Sequence, residues 1–278
     1  MAVRVVTDSA CDLPDDTVAE LGIEIVPLSV RFGDQEYVDR RDLTPAAFYA
    51  MLASSPVLPE TAAPSPGMFE AAFRKLLDEG ADAVVCINLS GGLSATMQSA
   101  QNGAAVLGAG ADIRLIDSRS VSWGLGSQVL AAARAAADGA TVDEVVAAVE
   151  EMIPRTRVYC TVDTLEHLKK GGRIGNAQAL LGTLLSIKPV IDVSSGVVEE
   201  AGKPRTRSKA LRFLADKVAQ HPRVENVGVM HGCAPDVAQF LDLLAPICGR
   251  DKIHVGEIGA TIGAHAGPRV MGVTFQVA

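Results

Sequence analysis

An apolar run, Val84-Val85-Cys86-Ile87-Asn88-Leu89, ends in Ser90-Gly91-Gly92-Leu93-Ser94-Ala95-Thr96, where hydroxyls and glycines replace aliphatic side chains. A helical pattern follows, with Leu93, Met97, Ala100, Ala104 and Leu107 on one face. Strand, glycine turn and helix N-terminus together suit an anion, because the first helical N–H groups lack partners and the dipole is positive there. Ser94 stands at that terminus, either as the helix N-cap or as a ligand contact. A second hydroxyl comes from Thr61-Ala62-Ala63-Pro64-Ser65. This stretch leads into a helix start in which Ser65 is the cap and Pro66 takes the first position. Thr61 meets a ligand or serves as a turn residue bonded to its own backbone. The chemistry on offer is capture of an anion by hydroxyls from two loops.

Positive groups occur in two further segments. Leu165-Glu166-His167-Leu168-Lys169-Lys170-Gly171-Gly172-Arg173 reads as a short helix whose two lysines satisfy its own dipole. The glycine pair then turns the chain and presents Arg173, a guanidinium able to grip a carboxylate or phosphate with two hydrogen bonds. Arg205 and Arg207 extend that positive character. His265 sits in Gly263-Ala264-His265-Ala266-Gly267-Pro268, among residues too small to shield its ring from a ligand. His231, His167, His221 and His254 read as structural, and no spacing of His, Cys, Asp or Glu makes a metal site. No G-x-G-x-x-G or Walker loop supports a nucleotide cofactor. Gly92-Leu93-Ser94-Ala95-Thr96 approaches the hydrolase elbow G-x-S-x-G, with Thr96 in place of its last glycine. An alternative is therefore a serine hydrolase or acyltransferase using Ser94 with His265 or His231 and Asp117.

These residues need a scaffold, and 278 residues suit two domains or one large α/β domain. Apolar residues make up 48% and charged residues 21%, as in a globular protein with ample core. The net charge of −8 argues against general nucleic-acid binding. Charge is uneven, however: Arg155 to Arg212 holds eleven Lys/Arg against five Asp/Glu, so this stretch carries +6 and the remainder −14. Either a docking surface for phosphate, an acidic partner or anionic lipid follows, or a solvated face without a partner. No apolar run reaches the roughly 18 residues of a membrane span, and the N-terminus is not built like a secretory signal. The five cysteines form no C-x-x-C, which predicts reduced thiols in a cytoplasmic protein, with Cys86 and Cys160 as core filler.

Strand-like and helix-like patterns alternate along the chain, predicting an α/β fold. Strands are expected at Val3–Val6, Ile23–Phe32 (turning at Gly33-Asp34 into Glu36–Val38), Ala83–Leu89 and Ile113–Ile116. Helices are expected from Pro14, over Pro45–Ala53, from Ser65-Pro66 and over the alanine-rich Leu130–Ala137. Ser54–Pro64 reads as a loop. Thr141-Val142-Asp143-Glu144 is a capping box with Val145, Val149 and Met152 on the apolar side. Beyond Pro154 come a strand at Arg157–Thr161 and a short helix capped by Asp163–Glu166. A hairpin, Ile187–Val193 with Val197–Glu199, then precedes helices near Lys209–Gln220 and Pro235–Pro246. Strands at Val224–Met230, Lys252–Glu257 and Val270–Val277 complete the pattern. A boundary near Pro154 divides a parallel α/β domain, 1–154, from a mixed or antiparallel α/β domain, 155–278.

Taken in order, these segments resemble the DegV family of bacterial fatty-acid-binding proteins, the acyl-carrying subunits of fatty-acid kinase. The resemblance is carried by Thr7-Asp8-Ser9 with Asp12-Leu13-Pro14, the Thr61–Ser65 loop, Gly92-Leu93-Ser94 and Asp117-Ser118. Ser122 with Gly124-Leu125-Gly126, Leu165–Ile174, Lys188-Pro189 and His265 with Gly267-Pro268 complete it. It implies a two-domain DegV-like fold that buries one long-chain fatty acid, such as palmitate, in a tunnel between and within the domains. It further implies that hydroxyls matching Thr61 and Ser94 hold the carboxylate, with Arg173, Arg205 and His265 around the headgroup and phosphotransfer region. On this resemblance the protein has no catalysis and no cofactor of its own. Its partner is a dihydroxyacetone-kinase-like subunit that uses ATP to make an acyl phosphate for phospholipid synthesis, and transient contact with a membrane surface is compatible with lipid entry. The chain departs from the family's frequent Thr-Ser-Gln-Pro-Ser at Ala62 and Ala63, from Gly-Leu-Ser-Gly-Thr-Tyr at Ala95 and Met97, and from His-Thr-Gly-Pro-Gly at Ala266 and Arg269.

Overall fold

Short runs of β-branched and aliphatic residues between turn signals form buried strands, and the longer alanine-rich and amphipathic stretches form the helices that cover them. The structure, a computed structural model, describes residues 2–278, with the side chains of 181–186 outside the description. Its first half opens with β1 (Val3–Asp8), α1 (Asp15–Glu20), β2 (Glu24–Val26), β3 (Ser29–Phe32) and β4 (Gln35–Val38). It continues through α2 (Pro45–Ser54), β5 (Glu60–Ala62), α3 (Pro66–Asp78), β6 (Ala83–Asn88), α4 (Thr96–Leu107), β7 (Ile113–Asp117), α5 (Trp123–Ala137) and α6 (Val142–Met152). Strands β2-β1-β6-β7 make a parallel four-stranded sheet. On one side Phe69, Phe73 and Leu76 of α3, spaced to share a helix face, pack with Val84 and Cys86 of β6. On the other, Leu125 and Val129 of α5 and Val145 and Val149 of α6 join Val5 and Val85. The capping box forms as expected, with Thr141 and Glu144 each accepting the other's backbone N–H.

Two expectations fail in this half. Ile23–Phe32 is not one strand but two, broken at Pro27-Leu28, and its halves enter different sheets: β2 pairs with β1, whereas β3 pairs with β4 and β5. Proline supplies no N–H to a ladder, so a break there is favoured. Ser54–Pro64 is not wholly loop either, because Glu60–Ala62 forms β5 and closes an antiparallel three-stranded sheet, β4-β3-β5.

The second half comprises β8 (Thr156–Thr161), α7 (Glu166–Lys170), β9 (Val190–Asp192), β10 (Glu199–Gly202), α8 (Arg207–Ala219) and β11 (Val224–His231). After these come α9 (Val237–Cys248), β12 (His254–Glu257), α10 (Ala260–Ala266) and β13 (Met271–Val277). The six strands order as β10-β9-β8-β13-β11-β12, antiparallel except for β11 with β12. Alternation along these strands decides what each face does. Tyr159, Met271, Val273 and Phe275 enter a core with Leu211 and Leu214 of α8 and Phe240 and Leu244 of α9. Their neighbours Val158, Cys160, Gly272 and Thr274 face the opposite way and line a cavity. The mixed α/β architecture read from the sequence is the architecture of the molecule.

Candidate ligand-binding site

The loop after β6 is fixed before it reaches the cavity. Asp8 accepts the Leu89 amide at 2.8 Å and the Asn88 side-chain amide at 3.1 Å. Ser90 Oγ donates to the Gly196 carbonyl at 2.6 Å, tying the loop to the turn between β9 and β10. Asp117 accepts the Gly91 amide at 3.2 Å, so this carboxylate braces backbone. Ser94 lies one residue before the α4 cap position, which is Ala95. Its Oγ accepts the Thr96 amide at 3.3 Å and shares a 2.9 Å hydrogen bond with Thr96 Oγ1. Ser94 thus shields part of the helix terminus and still lines the cavity.

Thr61 sits in the middle of β5 opposite Val30 of β3, so a strand and not a turn aims its hydroxyl. Thr61 Oγ1 and His265 Nε2 share a 2.8 Å hydrogen bond. His265 lies on α10, and its ring rests on Gly171, where any Cβ would overlap it. Burial first, then the Arg173 charge, pushes His265 down to about 4, so the imidazole is neutral at neutral pH. Arg173 follows the turn at Gly172, whose φ of +70° suits glycine. Its Nε donates to the Leu93 carbonyl at 2.9 Å and its Nη1 to the Gly171 carbonyl at 2.6 Å. Among the described residues Arg173 makes no ion pair. These bonds gather Thr61, Ser94, Arg173 and His265 into one polar corner of one cavity.

Away from that corner the cavity is mostly apolar, with the hydroxyls of Ser122, Thr261 and Thr274 in its wall. Its walls are Leu28, Leu89, Leu93, Val121, Leu168 and Ile262 together with the inward face of the six-stranded sheet, Val158, Cys160, Ile191, Met230 and Gly272. Counting its open mouth, the empty space amounts to about 860 Å³. Cys160 is a wall residue as well as core filler, and burial pushes its thiol up to about 12, leaving it uncharged. A mostly apolar chamber with hydroxyls, a neutral imidazole and a guanidinium without an ion partner among the described residues at one corner is chemically suited to an amphipathic anion.

The other sequence candidates lie elsewhere. Arg205 is exposed in the turn between β10 and α8 and does not line the cavity. Its neighbour Arg207 is held by Asp236 through two hydrogen bonds of 2.8 and 3.0 Å. Arg269 is half-exposed and pairs with Asp163 at 3.4 Å, as does Lys188 at 3.0 Å. Ser65 takes the α3 cap position without a side-chain cap bond. A nucleophile–base pair is not formed at Ser94, since its hydroxyl bonds Thr96 while His265 bonds Thr61. No group of His, Cys, Asp and Glu among the described residues could hold a metal ion. Sequence reasoning missed Ser122 and Thr261 as wall residues. For Thr261 the signal was its place four residues before His265, on the same helical face.

A family model described as "Uncharacterised protein, DegV family" matches residues 2–278. A DegV domain-containing protein of Streptomyces coelicolor is 38% identical over 281 residues, spanning 99% of this chain and 98% of that protein. Among solved structures, a DegV family protein from Thermus thermophilus described by its fatty-acid binding superposes with a TM-score of 0.91 at 33% identity, covering 100% of both chains. A stearic-acid-binding protein from Eubacterium ventriosum superposes with a TM-score of 0.89 at 26% identity, covering 99% of this chain and 98% of that one.

Proposed function

The chain belongs to the DegV family over residues 2–278, and from that premise we propose that it binds one long-chain fatty acid in the cavity with the carboxylate at the Thr61–Ser94 corner. The observation that carries this reading is the union of a mostly apolar chamber with a corner that brings Arg173 together with the hydroxyls of Thr61 and Ser94. Solved relatives described as fatty-acid binding at 33% and 26% identity support it. Residues 1–154 and 155–278 act as two domains, with the acid between and within them. The protein is a carrier in the cytoplasm, without catalysis or cofactor of its own. It presents the carboxylate to a separate ATP-dependent, dihydroxyacetone-kinase-like subunit for acyl-phosphate formation, and it meets a membrane surface transiently to load. Arg173 and His265 border the carboxylate, whereas Arg205, grouped with them by the resemblance, is exposed and outside the cavity lining.

Energetics divide the labour. About 14 methylenes of a palmitoyl chain at roughly 0.8 kcal/mol each give on the order of 11 kcal/mol gross from burial. A hydrogen bond to the charged carboxylate contributes about 1.5–3 kcal/mol. The tail sets affinity, and the polar corner sets register. Ser94→Ala is therefore expected to weaken palmitate binding about tenfold, the lower end of that range, while reducing acyl-phosphate formation in the presence of kinase by a larger factor. Calorimetry and a coupled phosphorylation assay check this. Normal turnover in Ser94→Ala would remove the presenting role. Labelling of Ser94 by a fluorophosphonate probe would instead restore the hydrolase alternative.

A further inference from the structure

We infer that Ser122 and Thr261 form a hydrogen-bond-accepting stripe on the cavity wall that fixes which way round an acyl ligand lies and admits a hydroxyl carried on its chain. The inference rests on the fatty-acid reading above. Both residues line the cavity and are buried, at 6% and 3% exposure. Ser122 Oγ donates to Asp12 Oδ2 at 2.6 Å, and Thr261 Oγ1 donates to Asp39 Oδ2 at 2.5 Å. Neither carboxylate lines the cavity. Both lie behind its wall and border a separate crevice with Asp15, Arg40 and Glu257.

The remaining bonds on the two acids also run toward the carboxylates. Asp12 Oδ1 accepts the Gly259 amide at 3.0 Å. Ser9 Oγ accepts the Leu28 amide at 3.1 Å, so its own proton goes to Asp39 Oδ2 at 2.8 Å. A hydroxyl has one proton to give. Burial raises the pKa of both acids; once both are ionised, those protons are committed outward and Ser122 and Thr261 turn only lone pairs toward a ligand. Ser122 is held for this in a backbone conformation, φ 51° and ψ −134°, that is costly for any residue but glycine. It makes no side-chain cap bond to α5 in return.

The cavity is therefore polarised. Thr261 and His265 lie four residues apart on α10, about 6 Å along its axis. A cationic, donor-bearing corner and an acceptor stripe backed by carboxylates thus face the same chamber about one helical turn apart. A carboxylate drawn to Arg173 is repelled by the stripe, so the acid enters one way round. A hydroxyl on the chain at the matching depth finds an acceptor instead of an unpaired burial. The ligand class favoured beyond plain fatty acids is hydroxy fatty acids, and the class rejected is dicarboxylic acids whose second acid group reaches the stripe.

Binding of stearate, of hydroxystearates with the hydroxyl at successive carbons, and of α,ω-dicarboxylic acids of increasing length tests this. The measurement is made a unit or more above the value of about 7 to which Asp12 is pushed. Burying an unpaired hydroxyl costs roughly tenfold or more in affinity. That loss is expected at most carbons and only a few-fold at the carbons reaching the stripe, with the diacid of matching length among the weakest ligands. The double variant Ser122→Gly, Thr261→Val is expected to erase the favoured position, and glycine suits the backbone at 122. Stearate binding with an equal penalty at every carbon, or a matching diacid as tight as stearate, overturns the stripe alone. Failure of stearate itself to bind overturns the fatty-acid reading and the stripe with it.

Discussion

Gly272→Ile is expected to lower affinity for palmitate by about two orders of magnitude while leaving the fold intact. Gly272 lies on β13, where Met271 and Val273 fill the core under α8 and α9 and Gly272 faces the cavity. A Cβ there would stand 3.5 Å from Cys160 Cβ and 3.6 Å from the Met230 and Tyr159 carbonyl oxygens, which is ordinary contact. The backbone position is a regular strand, so a β-branched residue suits it. The added side chain occupies space needed by about four methylenes of a ligand, a loss of about 3 kcal/mol, or roughly a hundredfold or more. Calorimetric titration with palmitate checks the affinity, and thermal unfolding of the free protein is expected to show no loss of stability. A folded Gly272→Ile protein that binds palmitate like the parent would place the tail elsewhere.

Arg173→Gln carries the second large effect. The guanidinium is half-buried, holds the Leu93 and Gly171 carbonyls and has no carboxylate partner among the described residues. Glutamine keeps a donor and removes the charge. A charged hydrogen bond contributes about 1.5–3 kcal/mol, so palmitate binding is expected to weaken between about tenfold and a hundredfold. Palmityl alcohol, which has the tail without the charge, is expected to bind the variant and the parent alike. The same substitution moves a second observable. Arg173 is one of the causes that hold His265 down near 4, so its removal raises the imidazole pKa, and NMR titration of His265 reads the change. An equal loss for acid and alcohol would mean that Arg173 only shapes the loop.

Much of this arrangement was legible in the chain because local signals and tertiary structure agree. The apolar runs of β6 and β7, the capping box at Thr141 and the hairpin of β9 with β10 all carry their own turn or cap chemistry. What escaped was non-local. Glu60–Ala62 has no strand pattern of its own and becomes β5 only because β3 offers it an edge. Ala260–Ala266 is too rich in Ala and Gly to show an apolar stripe, yet as α10 it carries both Thr261 and His265 to the cavity. The small residues around His265 were read as an open setting for the ring. In the fold they permit close packing, with the phenol of Tyr49 near Gly263 and the His167 ring near Gly267. Arg173 follows a glycine pair and Arg205 a Lys-Pro step, and neither spacing says which cation turns inward. Only Arg173 is drawn inward, by the Leu93 carbonyl of the β6–α4 loop. Acids behind the wall, such as Asp39, could not be foreseen because burial pairs them with Ser9 and Thr261 from distant segments.

Native mass spectrometry of the purified protein, before and after incubation with palmitate, tests the central claim most directly. The expected spectrum shows one adduct per chain with the mass of a long-chain fatty acid, present or acquired in the parent and strongly depleted in Gly272→Ile. A parent chain that stays bare with excess palmitate, or an adduct undiminished by filling the cavity at Gly272, would contradict it.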